Sequence, residues 1–225
     1  MTPQEALDQV IALGDPVKAG EMASYHKVER TYLGVLNPQL DTLYKAWRTE
    51  TDIPQRIEIA AFLWDSNIQE ARIVAAKLLT QARINPDDAV WAEICRWVPQ
   101  FDAWAIADHA CGAGARRVHL NEARLDEVER WTTHENLWVR RAALVITLPY
   151  TKSNNPKPEE LVARDRILGW AAGYVSDSEW FIQKSISWWL RSLSKHDPDR
   201  VRGFLDDHGE QMKPFARKDA ERTLK

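Results

Sequence analysis

Cysteine is nearly absent from this chain: Cys95 and Cys111 are the two in 225 residues. Two thiols cannot build the disulfide framework of a small secreted domain, and with His109 they match no common zinc spacing. Reduced core thiols and no metal are therefore expected. Glycine is scarce, at 9 residues, and no Gly-rich phosphate loop occurs, nor any Ser/His/Asp or Cys/His arrangement suited to nucleophilic catalysis. Long apolar runs are also missing, and the start Met1-Thr-Pro-Gln-Glu is acidic where a signal peptide is basic and then apolar. The expectation is a cytoplasmic protein with no membrane partner. Alternating Val/Ile/Thr runs long enough for a strand are lacking too, which points to an all-α chain.

What the chain has instead is tryptophan, eleven of them. Most are expected in the core, but indoles also form walls for sugars, bases and cations. The net charge of −3 excludes a protein coated in basic residues. Its distribution is uneven, with 14 Lys+Arg against 21 Asp+Glu over residues 1–137 and 16 against 12 over residues 138–225. A cationic C-terminal surface on an acidic protein is compatible with a polyanion bound along one face, although a mixed surface produces such asymmetry by chance.

Helix starts recur. Thr2-Pro3-Gln4-Glu5 has the form of a capping box with proline at the first helical position. Asp15-Pro16, Asn37-Pro38 and Asn85-Pro86 repeat the cap-then-proline signal, Asp197-Pro198 resembles it, and Asn67-Ile-Gln-Glu70 is box-like. Between them apolar residues return at three- and four-residue steps, as in Ile57, Ala60, Ala61, Leu63 and Trp64. The reading is about twelve helices, with Thr151–Pro158 as the longest break. Consecutive helix pairs suggest an α-solenoid of HEAT-like repeats with a concave groove, in one domain spanning residues 1–225, with an irregular helical bundle as the alternative.

Three segments carry chemistry: Phe101-Asp-Ala-Trp-Ala-Ile-Ala-Asp108, Asn136-Leu-Trp-Val-Arg-Arg-Ala-Ala143, and Trp180-Phe-Ile-Gln-Lys-Ser-Ile-Ser-Trp-Trp-Leu-Arg191. The i, i+4 spacing puts Trp104 and Asp108 on one helix face, a carboxylate beside an indole. An Asp in an apolar run needs a polar partner or a task. Taken alone, such an Asp is more commonly a surface or ion-paired residue than a catalyst. Of the Trp188-Trp189 pair, whose side chains point about 100° apart, Trp189 is expected in the core. Lys184, Arg191 and Lys195 share a stripe with Trp188, and they suit phosphate contacts as well as a solvated face.

With Lys18–Tyr25 and Tyr32–Pro38 near the start, these motifs make the chain resemble the AlkD-type DNA glycosylases, HEAT-like-repeat enzymes that excise N3- and N7-alkylated purines. The resemblance runs through nearly the whole chain. It implies Asp108 as the catalytic aspartate, Trp104 and Trp188 as the tryptophans that bracket the lesion's deoxyribose, and Arg141 as the arginine that fastens the adjoining backbone. Arg141 is preferred to Arg140 because it stands three residues after Trp138. Tyr25 matches a tyrosine lining the same cleft, and is equally readable as a core tyrosine. Two positions depart from the pattern: Ala103 stands where relatives often carry a large residue, and Pro149 where a basic residue is expected.

A cationic alkylpurine is already a good leaving group, so the protein need only stabilise the oxocarbenium-like sugar, which a fixed carboxylate and electron-rich indoles do. The resemblance further implies that the base stays stacked in duplex DNA, that no cofactor is needed, and that the enzyme is monofunctional, since no lysine takes the aspartate's role. A monomer bound to double-stranded DNA containing alkylated purines is expected. The competing reading is a non-catalytic helical-repeat module for DNA structures or a protein partner.

Overall fold

The computed structural model describes residues 1–224, and among them are thirteen α-helices, four short 3-10 turns and no strand. One isolated bridge joins Thr31 to Ile68. No described helix is long and apolar enough to cross a membrane. The chain divides into two compact units, Met1–Gly114 and Ala115–Lys225.

The first unit holds α1 (Pro3–Ala12), α2 (Pro16–His26), α3 (Asn37–Glu50), α4 (Ile53–Asp65), α5 (Gln69–Leu79), α6 (Asp88–Trp97) and the first part of α7 (Trp104–Leu120). Starts at α1 and α2 follow the sequence signals. Thr2 and Glu5 close a reciprocal capping box, and the Asp15 carboxylate accepts from the N–H groups of Val17 and Lys18. At the centre lies α5, buried on every side except Lys77, with α3 and α4 packed against it. A helix apolar all round needs its polar residues paired. Arg72 accordingly donates from Nε to the Trp64 carbonyl (3.0 Å) and from Nη2 to Gln100 Oε1 (3.2 Å). Trp64 and Trp97 stack at 4.4 Å beside it.

The second unit holds the end of α7, then α8 (Leu125–Trp131), α9 (Leu137–Val145), α10 (Pro158–Gly173), α11 (Trp180–Leu193), α12 (Pro198–His208) and α13 (Pro214–Glu221). Here α11 is the central helix, packed on α9 and α13. Its buried Gln183 is the pin: Nε2 donates to the carbonyls of Val175 and Asp177 (2.9 Å each) and Oε1 accepts from Lys213 N–H (2.9 Å). One amide thus holds the entry to α11 and the entry to α13 together.

Three sequence expectations are corrected. Asn85-Pro86 does not start a helix; its peptide is cis and α6 begins at Asp88. Asn67 is a left-handed residue at φ 53°, and Glu70 is not a capping-box partner, because its carboxylate accepts backbone N–H groups from residues 33–35 instead. The longest helix-free stretch is Lys27–Leu36, not Thr151–Pro158, whose first residue closes a 3-10 turn (Leu148–Thr151) and whose last opens α10.

Candidate functional site

In the first unit the candidate chemistry lies on α7. Ala103, Ala105, Ile106, Ala107, Ala110, Cys111 and Ala113 are all buried. Trp104 and Asp108 are half-buried, and Gly112 is exposed. Positions 104, 108 and 112 follow at i, i+4 and form one stripe on the helix. A Cβ added at Gly112 meets nothing within 4 Å, so the stripe runs indole, carboxylate, bare backbone. Chain entry to α7 is anchored by Phe101, 2% exposed and edge-on to Trp64.

Trp104 belongs to an aromatic group built by the end of α2 and the segment after it. Tyr25, 70% exposed, stands edge-on to Trp104 with centroids 6.3 Å apart. His26 lies 5.6 Å from Trp104 and stacks on Tyr32 at 5.9 Å with 9° between planes. Tyr25 is therefore no core tyrosine. The segment itself is bolted down from below. Lys27 takes the left-handed conformation that ends α2. Gly34 sits at φ 78°, where a Cβ would lie 2.2 Å from the Asp15 carbonyl oxygen. Glu70, 1% exposed, accepts from the N–H groups of Leu33, Gly34 and Val35. Arg30, its side chain fully buried, bonds Gln69 Oε1 at 3.1 Å and forms an ion pair with Asp102, two residues before Trp104. That ion pair links the 27–36 segment to the entry of α7.

In the second unit a similar stripe runs along α11. Every residue from Trp180 to Leu193 is buried except Trp180, Phe181, Lys184, Trp188 and Arg191, and Lys195 is exposed just beyond. Trp189 is at 0% exposure. The basic positions separate into kinds. Lys184 is exposed, its Nζ 4.5 Å from the Trp180 ring, which stacks in turn on Phe215. Lys195 lines an open hollow of about 600 Å³ with Arg202, Arg222 and Thr223. Arg191 is half-buried and ion-paired to Asp219. Arg141 differs from its expectation as a surface cation. It is 3% exposed, donates from Nη1 to the Phe181 carbonyl (2.9 Å), and places its guanidinium 5.9 Å from the Phe181 ring and 5.8 Å from Trp188. Its partner in sequence, Arg140, is the more open of the two and reaches Asp177 at 3.1 Å. A guanidinium held by two ring faces and a carbonyl fixes the indole of Trp188 as much as it offers charge.

Sequence reasoning missed His26, Arg30, Asp102 and Glu70 as supports of the site. Asp102 stands inside the quoted Phe101–Asp108 segment, but its partner is 72 residues away, and no local spacing signals that.

A family model described as DNA alkylation repair enzyme matches residues 6–224. A predicted DNA alkylation repair enzyme from Enterococcus faecalis superposes with a TM-score of 0.77 at 24% identity, covering 94% of this chain and 96% of that one. The protein smu.31 from Streptococcus mutans UA159 gives 0.63 at 18% identity over 84% and 92%. AlkD2 from Streptococcus mutans gives 0.61 at 17% over 83% and 89%. At these identities the structures establish the shared all-α helical-repeat fold. No curated protein sequence matches the chain.

Proposed function

Because the chain belongs to the DNA alkylation repair enzyme family, we propose that it is a monofunctional DNA glycosylase that hydrolyses the N-glycosidic bond of cationic N3- and N7-alkylated purines in duplex DNA. The observation that carries this reading is the α7 stripe: Trp104 and Asp108 interrupt an otherwise buried helix face, with open backbone at Gly112 beside the carboxylate.

Asp108 is the catalytic residue. As the bond from C1′ to the purine nitrogen lengthens, positive charge passes from the base to the sugar, and the carboxylate stabilises it and orients the attacking water. The base leaves as a neutral purine, so no general acid is required. Trp104 presents its π face to the cationic, C–H-rich sugar and keeps bulk water from screening the charge, and Trp188 is the second indole that this reading assigns to the DNA. Tyr25, Lys184, Arg191 and Lys195 contact the DNA, and Arg141 holds Trp188 while serving the backbone. The lesion stays in the base stack, which makes selectivity depend on the lability and charge of the lesion, so that neutral damaged bases are poor substrates.

The test is incubation with duplex DNA carrying N7-methylguanine, with released base scored by chromatography against an enzyme-free control. Release above the control supports the reading. No release with DNA binding intact replaces it by a non-catalytic binding module.

A further inference from the structure

We propose that His26 is a positioning residue of the Trp104 wall, and that it does this work only as the neutral imidazole. The proposal rests on the glycosylase reading for its consequence and on the first unit alone for its geometry.

His26 is the hub of the aromatic group. Its ring meets Tyr25 at 5.0 Å, Trp104 at 5.6 Å and Tyr32 at 5.9 Å. Trp104 and Tyr25 touch each other only edge-on, so His26 is what backs both. Its Nδ1 is buried and has no hydrogen-bond partner. A buried nitrogen in that position is tolerable as a lone pair against ring edges, but a proton on it would be a buried donor without an acceptor. The charged and titratable groups around it come from every packed element: Arg30 and Tyr32 from its own segment, Glu70 from α5, Asp102 from the entry to α7, and Tyr25 on α2. The two carboxylates are already engaged, Asp102 by Arg30 and Glu70 by three backbone N–H groups. Neither carboxylate hydrogen-bonds the imidazole. Burial, and then the Arg30 guanidinium, hold the imidazole pKa below its usual value, with Glu70 opposing.

The substrate class explains why neutrality matters. The indole of Trp104 is to face a cationic lesion and a sugar that becomes cationic in the transition state. An imidazolium behind the same indole offers a competing cation and raises the energy of bringing a second one close. Excision by the wild type is therefore lost as pH falls through a midpoint below 6.5.

The experiment is a single-turnover pH series from 7.5 to 5.0 with N7-methylguanine duplex, corrected for enzyme-free depurination. Wild type, His26→Phe and His26→Gln are compared by the ratio of rates at pH 5.5 and 7.5, whatever their absolute rates. The wild-type rate should drop several-fold across this range, and the drop should vanish in both variants. Persistence of the drop in both variants overturns the proposal. A second arm needs no activity. The Trp104 indole N–H cross-peak, assigned by its loss in Trp104→Phe, is followed in the same pH range, and it should titrate in wild type and stay still in His26→Phe. A flat wild-type titration overturns the proposal. A titrating cross-peak without any excision instead defeats the glycosylase reading and leaves His26 as the support of Trp104. Circular dichroism melts of both variants at pH 7.5 verify that they are folded.

Discussion

Asp108, Trp188 and His109 are each a single side chain whose role can be separated from its neighbours. Asp108→Asn is nearly isosteric and removes the charge directed at the developing cation, an interaction worth most in the transition state. Its excision rate should fall roughly 10- to 1000-fold with Tm and DNA affinity nearly kept; an unchanged single-turnover rate removes Asp108 from the mechanism. Trp189, at 0% exposure, should behave oppositely to its neighbour. Trp189→Ala opens a cavity and costs about 3–5 kcal/mol, whereas Trp188→Ala should lower excision with a small thermal penalty, read from paired melts and rate assays. His109 follows Asp108 but is turned toward the protein, where burial and the Lys77 ammonium push its imidazole down to about 4. The folded protein thus takes up this proton near pH 4 and the unfolded chain near 6.5. Acid therefore favours the unfolded chain. Stability should be lost as pH falls from 6.5 toward 4, by up to about 1.4 kcal/mol per pH unit. His109→Gln should flatten this dependence in urea titrations, and an unaltered slope assigns it to other groups.

Among the elements, α5 matters most for the site although it presents no reactive group. Its Glu70 carboxylate replaces a strand or helix as hydrogen-bond partner for the N–H groups of residues 33–35. Glu70→Gln keeps the volume, but half of the amide meets N–H groups with N–H. It should destabilise the protein by about 2–4 kcal/mol and speed amide hydrogen exchange at Leu33, Gly34 and Val35 before the rest of the first unit. Uniform exchange throughout the unit would show that the segment is not separately held. In the second unit Gln183 plays the same part for the entries to α11 and α13. Both devices place a buried polar side chain of a central helix where non-helical backbone meets it.

For the molecule as a whole, charge is unequally shared: Met1–Gly114 carries 10 Lys+Arg against 16 Asp+Glu, and Ala115–Lys225 carries 20 against 17. The proposed attraction to DNA is therefore assigned to cations of the net-positive second unit. Each lysine that neutralises a phosphate contributes about 0.9 to the slope of log affinity against log salt. Lys184→Ala and Lys195→Ala should each lower the slope by about that amount in anisotropy titrations. Arg191→Ala, which removes the closer of the two ion pairs of Asp219, should lower it less and reduce Tm more. Equal slopes for all three and wild type would place the DNA on another surface.

Periodicity, proline-marked starts and the lack of strand patterning were enough to make the chain all-α, because those signals are local and survive in any packing. Local spacing likewise put Trp104 and Asp108 on one face of α7, and separated Trp188 from a buried Trp189 on α11. What the chain pattern does not contain is the partner of each buried polar group. Glu70 reads as a capping residue and is a clamp for a segment 35 to 37 residues earlier. Arg141 reads as a surface cation and is enclosed by Phe181 and Trp188. His26 carries no motif at all. For Glu70 and Arg141 the deciding energy is the cost of an unpaired polar group in a low-dielectric interior, and only the tertiary structure says which distant donor, carbonyl or ring removes that cost.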